Sequence, residues 1–485
     1  MKTYFIKTFG CQMNHSDSEK LSAVLDSLKL QEVQTVEESD LVIFNTCSIK
    51  QHAEDRVFGH VNNAKKAGKI VAITGCMIRH TSSLKDLQNI RELKNSKNTR
   101  IAITDEEIKK KLEKIDEVLK RIEKNKSVDF VFRIEDMKNL PEILYEFDSE
   151  IKRPNFEKIK KFDSLENFDY LNISPKLTEK YRATVPIMTG CDKFCTYCIV
   201  PFARGKERSR KFEDILEECN NHVKNGVIEI TLVGQNVNAY FLDDASKKIL
   251  QRHTDFAFLL NEIAEIKGLK RLQFTSPHPR HMGGDMIEVI AKHKNISRCI
   301  HLPVQTGSTR MLQKMGREHN IGRFTDFIEK LRKAVPEMTI TTDIIVGFCT
   351  ETEKDFQKTI ELFETQHFLM AFISKYSPRK GTVSAEKMED DVSDILKKER
   401  LEILTKVLEQ SVDFENKKLI GKIEEVIIDS VQFNSEKNEF TARGRSHTGR
   451  TVVCKVGDRG ENFIGKIVSV KITDYKKFTV FGKLL

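Results

Sequence analysis

The chain has 485 residues, 39% of them hydrophobic, and a net charge of +9; at about 100–200 residues per domain this suits two to four ordinary cores. No run of about 18 apolar residues occurs, which argues against a membrane span, and Met1–Gly10 lacks the apolar stretch of a secretory signal and the Arg-rich pattern of a transit peptide, so the expected location is the cytoplasm. Residues 417–485 hold fourteen Lys or Arg against eight Asp or Glu, a net +6, which suits a polyanionic partner such as RNA; a solvated basic surface is the plain alternative.

The first 80 residues alternate between strand and helix. Tyr4–Thr8, Leu41–Asn45 and Ile70–Thr74 read as strands, separated by helices at Asp17–Leu28 and about 50–66. Such alternation implies a parallel sheet, whose ligands gather at the carboxyl ends of the strands. Each strand is soon followed by a cysteine: Cys11, Cys47 and Cys76. Separations of 35 and 28 residues say little by themselves, and free buried thiols are the simplest reading of them. Residues 104–126 show one apolar stripe (Ile108, Leu112, Ile115, Leu119, Ile122) and predict a surface helix without chemistry. Residues 151–182, polar and containing Pro154 and Pro175, read as a connector.

Strand–helix alternation resumes at Ala183. Ala183–Ile187, Ile228–Val233, Arg271–Thr275, Ser297–Leu302, Met338–Ile345 and Leu369–Lys375 give six β/α units, enough for a full or partial parallel barrel closed by a helix at about 392–416. Five short strands then follow: Ile423–Ile428, Glu439–Arg443, Thr451–Cys454, Ile467–Thr473 and Thr479–Phe481. They predict a small β-barrel. The expected fold is therefore α/β: an N-terminal parallel-sheet domain over 1–150 with a helical insertion at about 81–126, a connector over 151–182, a partial (β/α)6 barrel over 183–416, and a small β-barrel over 417–485.

Ten cysteines in a reducing compartment call for a reason other than disulfides. Only Cys191, Cys195 and Cys198 are clustered, as C-x3-C-x2-C after a strand and Gly190. A [4Fe–4S] cube usually takes four thiolates, so three leave one iron open to chelate a small molecule. A structural zinc site wants four ligands, and the next Cys or His, Cys219, falls in a helical stretch. Cys219, Cys299, Cys349 and Cys454 match no cluster pattern and read as small buried hydrophobes.

The loop, with Tyr197 at an aromatic position, resembles the signature of the radical-SAM superfamily. The likeness extends to the methylthiotransferase family within it, from Lys7 to Lys483. It is carried by Thr8–Asn14 (TFGCQMN), Asn45–Ile49 (NTCSI), Gly75–Met77 (GCM), Gly234–Asn238 (GQNVN), His301–Gly307 (HLPVQTG) and Ser377–Gly381 (SPRKG). The resemblance implies a cluster at Cys191, Cys195 and Cys198 that reduces S-adenosylmethionine to a 5′-deoxyadenosyl radical. It assigns a second [4Fe–4S] cluster, the carrier of the sulfur, to Cys11, Cys47 and Cys76. It further implies S-adenosylmethionine contacts at Tyr197, Gly234, Gln235, Gln305, Gly347 and Arg379.

The resemblance makes the C-terminal barrel a TRAM-like RNA-binding module. Candidate RNA contacts are Arg204, Arg208 and Arg210 in the basic run after the cysteine loop, and Arg443, Arg445 and Arg450 in the barrel. Phe433, Phe440 and Phe463 are expected mostly in its core. Gly10–Asn14 and Asn45–Ser48 match the branch that modifies C2 of N(6)-isopentenyladenosine beside the tRNA anticodon. Other branches act on threonylcarbamoyladenosine in tRNA or on a ribosomal-protein aspartate, and a non-catalytic Fe–S RNA-binding protein is the alternative of another class. The implied partners are the tRNA anticodon stem-loop and a reductant such as flavodoxin or ferredoxin, with no membrane. The chain departs from the family at residues 81–126, at Arg133, where glycine is common, and at Cys349-Thr350, where Pro-Gly is usual.

Overall fold

The computed structural model describes residues 1–47, 51–78, 121–122, 125–149, 169–242, 254–435, 439–457 and 463–485. The expected helix over 104–126 lies almost wholly outside them, as do most of the 81–126 insertion and residues 151–168 of the connector. The chain forms two compact units. The first holds Met1–Thr178 together with Thr189–Lys193 and Cys198–Arg208, and the second holds the rest. The boundary thus differs from the one expected at residue 183, because parts of the cysteine loop and the segment after it pack with the N-terminal unit.

The first unit is built on a parallel sheet of β1 (Thr3–Thr8), β2 (Gln31–Glu32), β3 (Leu41–Thr46), β4 (Ile70–Gly75) and β5 (Phe130–Val131), in the order β2-β1-β3-β4-β5. β3 is buried along its whole length, as its LVIFNT sequence requires of a central strand covered on both faces. The strand order reverses between β1 and β3, where sheets of this topology open a crevice at the carboxyl ends. Cys11 and Cys47 lie on either side of that point. Two helices supply cover, α1 (Gln12–Ser27) and α2 (Gln51–Lys66). The described end of the expected connector is well ordered by contacts: Tyr170 and Leu171 are buried, and the fully buried Lys20 of α1 donates to the carbonyls of Leu171 at 2.7 Å and Ile173 at 2.8 Å.

In the second unit six parallel strands run in chain order: β6 (Arg182–Pro186), β7 (Glu229–Val233), β8 (Arg271–Phe274), β9 (Cys299–His301), β10 (Thr339–Val346) and β11 (Met370–Lys375). They form two three-stranded sheets joined by a parallel bridge between Leu272 and Ile296, an open (β/α)6 arc. Alternate residues of β10 (Ile340, Thr342, Ile344, Val346) are buried while Thr341, Asp343 and Ile345 are only half-buried, the period of a strand with two different faces.

The C-terminal strands β12 (Ile423–Asn434), β13 (Glu439–Ser446), β14 (Thr451–Gly457), β15 (Ile467–Lys476) and β16 (Thr479–Leu484) close into a barrel, so only its own side chains fill the middle. That core includes Val426, Ile428, Ala442, Val452, Cys454, Val470, Ile472 and Val480, with Phe440 and Phe463 packed against it. Phe433 is 52% exposed and rests on Phe440 with ring centres 4.9 Å apart, so it does not join that core. The barrel docks on the amino ends of the arc strands. Arg271 donates to the Arg445 carbonyl at 2.9 Å, Thr339 Oγ1 to the Thr448 carbonyl at 2.8 Å, and Arg182 pairs with Asp429 at 2.8 Å. The carboxyl ends, which carry the glycine and cysteine motifs, are therefore left clear of it. No helix among the described residues is long and apolar enough to cross a membrane.

Candidate active site

In the N-terminal unit the three cysteines follow three strands that are neighbours in the sheet, β1, β3 and β4. A Cβ on Gly10 would stand 2.8 Å from the Cys47 Cβ, and the Cys76 amide donates to the Thr46 carbonyl, one residue before Cys47, at 2.8 Å. The Cys11 thiol is raised, first by the loss of solvation in this crowded rim and then by the charge of the Cys76 sulfur, although part of Cys11 remains exposed. Gly75 has a left-handed φ of +87°, and any side chain there would strike the Thr46 carbonyl at 2.4 Å. The motif residues between the cysteines hold this rim. Asn14, wholly buried, accepts from the Cys11 amide at 3.4 Å and its thiol at 3.3 Å, and donates to Asn45 Oδ1 and the Thr46 carbonyl, both at 3.1 Å. Asn45 donates back to the Asn14 carbonyl at 2.8 Å and to Ser18 Oγ at 2.9 Å. The repeated Asn in GCQMN and NTC was the sequence signal for this lattice, but its role needed the fold.

A buried cation completes the rim. Arg204 ends a short helix, α3 (Val200–Arg204), and its Nη2 donates to Asp17 Oδ2 at 2.6 Å while Nε reaches the Cys76 sulfur at 3.4 Å. Asp17 is fully buried on α1. Burial pushes its carboxyl up and Arg204 pulls it back. Burial also opposes charge on Arg204, but Asp17, the Cys76 sulfur and Tyr170 together hold the guanidinium firmly protonated.

The C-x3-C-x2-C loop follows β6. On its N-terminal side the Cys191 amide donates to the Gly205 carbonyl at 3.1 Å. In the second unit, the Thr196 amide donates to the Met315 carbonyl at 2.9 Å, and Arg317 Nη1 lies 3.7 Å from the Cys195 sulfur while Nη2 donates to the Pro303 carbonyl at 2.6 Å. No three His, Cys, Asp or Glu side chains among the described residues converge as a single-ion site does. A [4Fe–4S] cluster instead distributes its thiolates over separate irons, and thiolate-rich donor sets beside buried cations suit such a soft, anionic centre.

The residues expected to contact S-adenosylmethionine sit at or near the carboxyl ends of the arc. Gly234 follows β7, and a side chain there would meet Met188 Cγ at 2.6 Å, so only glycine keeps the backbone open at this turn. Gln305 has a left-handed φ of +77°; its amide donates to the Asp343 carbonyl and its carbonyl accepts from Ile345, both at 2.9 Å. Gln235 is half-buried. Tyr197 meets Phe348 edge-on at 6.4 Å, and Arg379 is buried where its carbonyl accepts from Thr382 Oγ1 at 2.7 Å. The Gly347 amide donates to Glu351 Oε2 at 2.6 Å, and Arg400 pairs with the same oxygen at 2.8 Å. Burial pushes the Glu351 carboxyl up to about 7, against the pull of these two donors.

At the departure Cys349-Thr350, Cys349 is buried and Thr350 takes a left-handed φ of +66°, a conformation natural to glycine and strained for a β-branched residue. The Asp391 carboxylate, accepting the Thr350 amide at 2.7 Å, and Arg310, donating to its carbonyl at 2.6 Å, hold it there. Thr350→Gly is expected to raise stability by about 1 kcal/mol, the net of ~1–3 kcal/mol of relieved strain and ~0.5–1 kcal/mol of glycine entropy. A urea midpoint equal to or below wild type would contradict this. Arg133, another of the three departures, is held by Asp136 at 2.7 Å.

The arginines expected to meet RNA divide sharply. Arg204 is buried against Asp17 and Cys76. Arg210 is 5% exposed, donates to the Pro186 carbonyl at 2.8 Å and pairs with Glu218 at 2.7 Å. Arg450 is 4% exposed and donates to Asn416 and to Glu415. These three are corrected from surface contacts to internal ties, because each has a carboxylate brought to it by the fold. Arg208 is exposed but paired with Asp169. Arg443 and Arg445 are exposed, alternating on β13 with buried Ala442 and Gly444.

The Radical SAM superfamily model matches residues 185–363, and that of the Uncharacterized protein family UPF0004 matches residues 3–96. A tRNA-2-methylthio-N(6)-dimethylallyladenosine synthase from Clostridium botulinum is 36% identical, over 99% of this chain and 96% of its own. One so named from Thermoanaerobacter pseudethanolicus is 36% identical over 99% of this chain and 92% of its own. Among solved structures, a radical S-adenosylmethionine methyltransferase from Kitasatospora setae aligns with a TM-score of 0.49 at 10% identity, covering 79% of this chain and 77% of that one. The Radical SAM superfamily match implies S-adenosylmethionine and a [4Fe–4S] cluster, and with the curated relatives it makes this chain a radical-SAM sulfur-transferring enzyme. With relatives alike over nearly their entire length, and with the C-x3-C-x2-C loop set at the end of a (β/α)6 strand, the chain belongs to the tRNA-2-methylthio-N(6)-dimethylallyladenosine synthase family.

Proposed function

We propose that this enzyme replaces the C2 hydrogen of N(6)-isopentenyladenosine, beside the anticodon of tRNA, with a methylthio group, using two [4Fe–4S] clusters. The observation that carries the reading is the thiol rim: Cys11, Cys47 and Cys76 at three neighbouring strand ends, in the same chain as the C-x3-C-x2-C loop. When bound and reduced, the cluster at Cys191, Cys195 and Cys198 supplies a 5′-deoxyadenosyl radical from S-adenosylmethionine. The chain's own contribution is placement. Gly234, Gln235 and Gln305 offer backbone and amide groups to the methionine end of the cofactor, Tyr197 and the Gly347 turn border its adenine, and Arg379 supplies a cation at the end of β11. The second cluster, held by the thiol rim, is the station of the sulfur. A flavodoxin or ferredoxin of the cytoplasm is the reductant.

The 1–150 region acts as the sulfur-carrying domain, 183–416 as the radical domain and 417–485 as the RNA module. Arg443 and Arg445 are its phosphate contacts, since both are exposed on one face of β13. Replacing both with alanine is expected to weaken tRNA binding and to lower the slope of log K against log salt by about 1 per arginine. Filter binding across a salt series reads this, and an unchanged slope counts against the assignment. The activity itself is tested by mass spectrometry of tRNA nucleosides from cells lacking the protein. Methylthio-isopentenyladenosine persisting there, with no redundant enzyme, would sink the substrate claim.

A further inference from the structure

We infer that Arg204 is a positioning residue for the thiol rim: it donates a charge-assisted hydrogen bond to the Cys76 sulfur and thereby raises the reduction potential of the cluster bound there. The inference rests on the proposed reading that Cys11, Cys47 and Cys76 hold a second cluster.

The geometry is specific. Nε lies 3.4 Å from the Cys76 sulfur and Nη2 lies 2.6 Å from Asp17, so a single planar guanidinium spans a thiol and a carboxylate. Lysine, a compact point charge, does not reproduce such a fork. Asp17 lies six positions after Cys11 on α1, and Arg204 six positions after Cys198. The segment that carries ligands of the radical cluster therefore also delivers the cation to the rim. Both side chains are almost fully buried, at 4% and 0% exposure, so the guanidinium's contact with the sulfur is screened by salt much less than a surface contact would be. The third guanidinium nitrogen, Nη1, is buried with no partner among the described residues. A buried unpaired donor is costly unless something accepts from it, and an anionic sulfur at the rim is the acceptor this chemistry fits. An ion pair serving the fold alone needs only Asp17 and gives no reason for Nε to face the thiol.

The direction follows from charge. Reduction adds an electron to an already anionic centre, and a nearby cation or hydrogen-bond donor to sulfur favours the reduced form. Only the difference in the strength of this hydrogen bond between the two redox states counts. A shift of about tenfold in the reduction constant, or about 59 mV for one electron, is expected.

The test uses the full chain with Cys191, Cys195 and Cys198 changed to alanine, reconstituted with iron and sulfide, so that only the rim cluster is read. Iron content and an EPR-monitored redox titration are compared among this protein and its Arg204→Met, Arg204→Lys and Asp17→Asn/Arg204→Met derivatives. The double variant leaves no unpaired buried charge. The expected result is about four irons in each, a tenfold lower reduction constant in both methionine variants, and an intermediate value for lysine. Unchanged potentials with iron retained would overturn the inference. Iron lost from Arg204→Met but restored, at wild-type potential, in the double variant would also overturn it, because the defect would then belong to Asp17. A background protein that binds no iron would remove the second-cluster reading itself, a failure visible before any Arg204 variant is measured.

Discussion

Replacing Cys47 with alanine is expected to abolish methylthio product, by at least about 10³-fold, while reductive cleavage of S-adenosylmethionine continues. Cys47 directly follows the central strand β3, its side chain is buried, and the strands on either side, β1 and β4, are followed by Cys11 and Cys76. Removing the middle of three thiolates leaves two, too few to hold a cube that ordinarily takes four. The substitution deletes one sulfur atom and leaves the Asn14 hydrogen bonds to Asn45 and Thr46 and the ladder of β3 in place, so the sheet should persist. Iron should fall from about eight to about four per chain after full reconstitution, and 5′-deoxyadenosine should still form. Retention of all the iron, or of methylthio product, would rule out the rim as a cluster site. The converse variants, Cys191→Ala or Cys195→Ala, should stop cofactor cleavage itself. Both sets of thiols are thus needed for product, and the cleavage assay alone tells them apart.

Acid should destabilise the second unit through His319. Its imidazole is buried, and neither ring nitrogen has a partner among the described residues. Burial, then the charges of Arg317 and Arg323, lower its pKa to about 3; the His278 ring stands perpendicular to it at 5.6 Å. The unfolded chain, with an ordinary histidine near 6.5, binds the proton throughout the window between these values. More protons bound unfolded than folded means stability rises with pH. The contribution is fully present above pH 6.5 and is lost progressively as pH falls toward 3. By pH 5 the loss is about 2 kcal/mol, from 1.36 kcal/mol per unit. Urea unfolding at pH 7 and pH 5 should show this extra loss in wild type and not in His319→Leu. Equal acid sensitivity in the two proteins would contradict it.

The strands were readable because they are short apolar runs bounded by turns. Leu41–Asn45 and the five short C-terminal strands were found in sequence because burial on two faces, or alternation on one, leaves a direct mark on residue order. Boundaries shifted by one residue, as with Thr3–Thr8 for Tyr4–Thr8, or by three at the carboxyl ends of β13 to β16, and β12 ran on to Asn434 past its expected end. The cysteine loop was equally plain, since its three ligands lie within eight residues. The other three thiols were visible as a group only through the strands they follow, and the family resemblance carried their assignment.

The charged residues were misread for a physical reason. Arg204, Arg210 and Arg450 looked like surface cations because a local run of basic residues contains no record of which carboxylate folds against it. Asp17 is 187 residues from Arg204, Glu415 is 35 from Arg450, and even Glu218, eight from Arg210, lies on a separate helix. What the sequence determined by itself was the local part: the alternation of strands and helices, the C-x3-C-x2-C loop with its open fourth position, and the basic balance of the last module. What only the tertiary structure decided was which charges are spent inside the protein and which remain for RNA, because burial and ion pairing depend on residues that meet across the fold. The Asn14–Asn45 lattice and the Arg204 contact to Cys76 belong to that second class, and they hold the rim that the three scattered cysteines only hinted at.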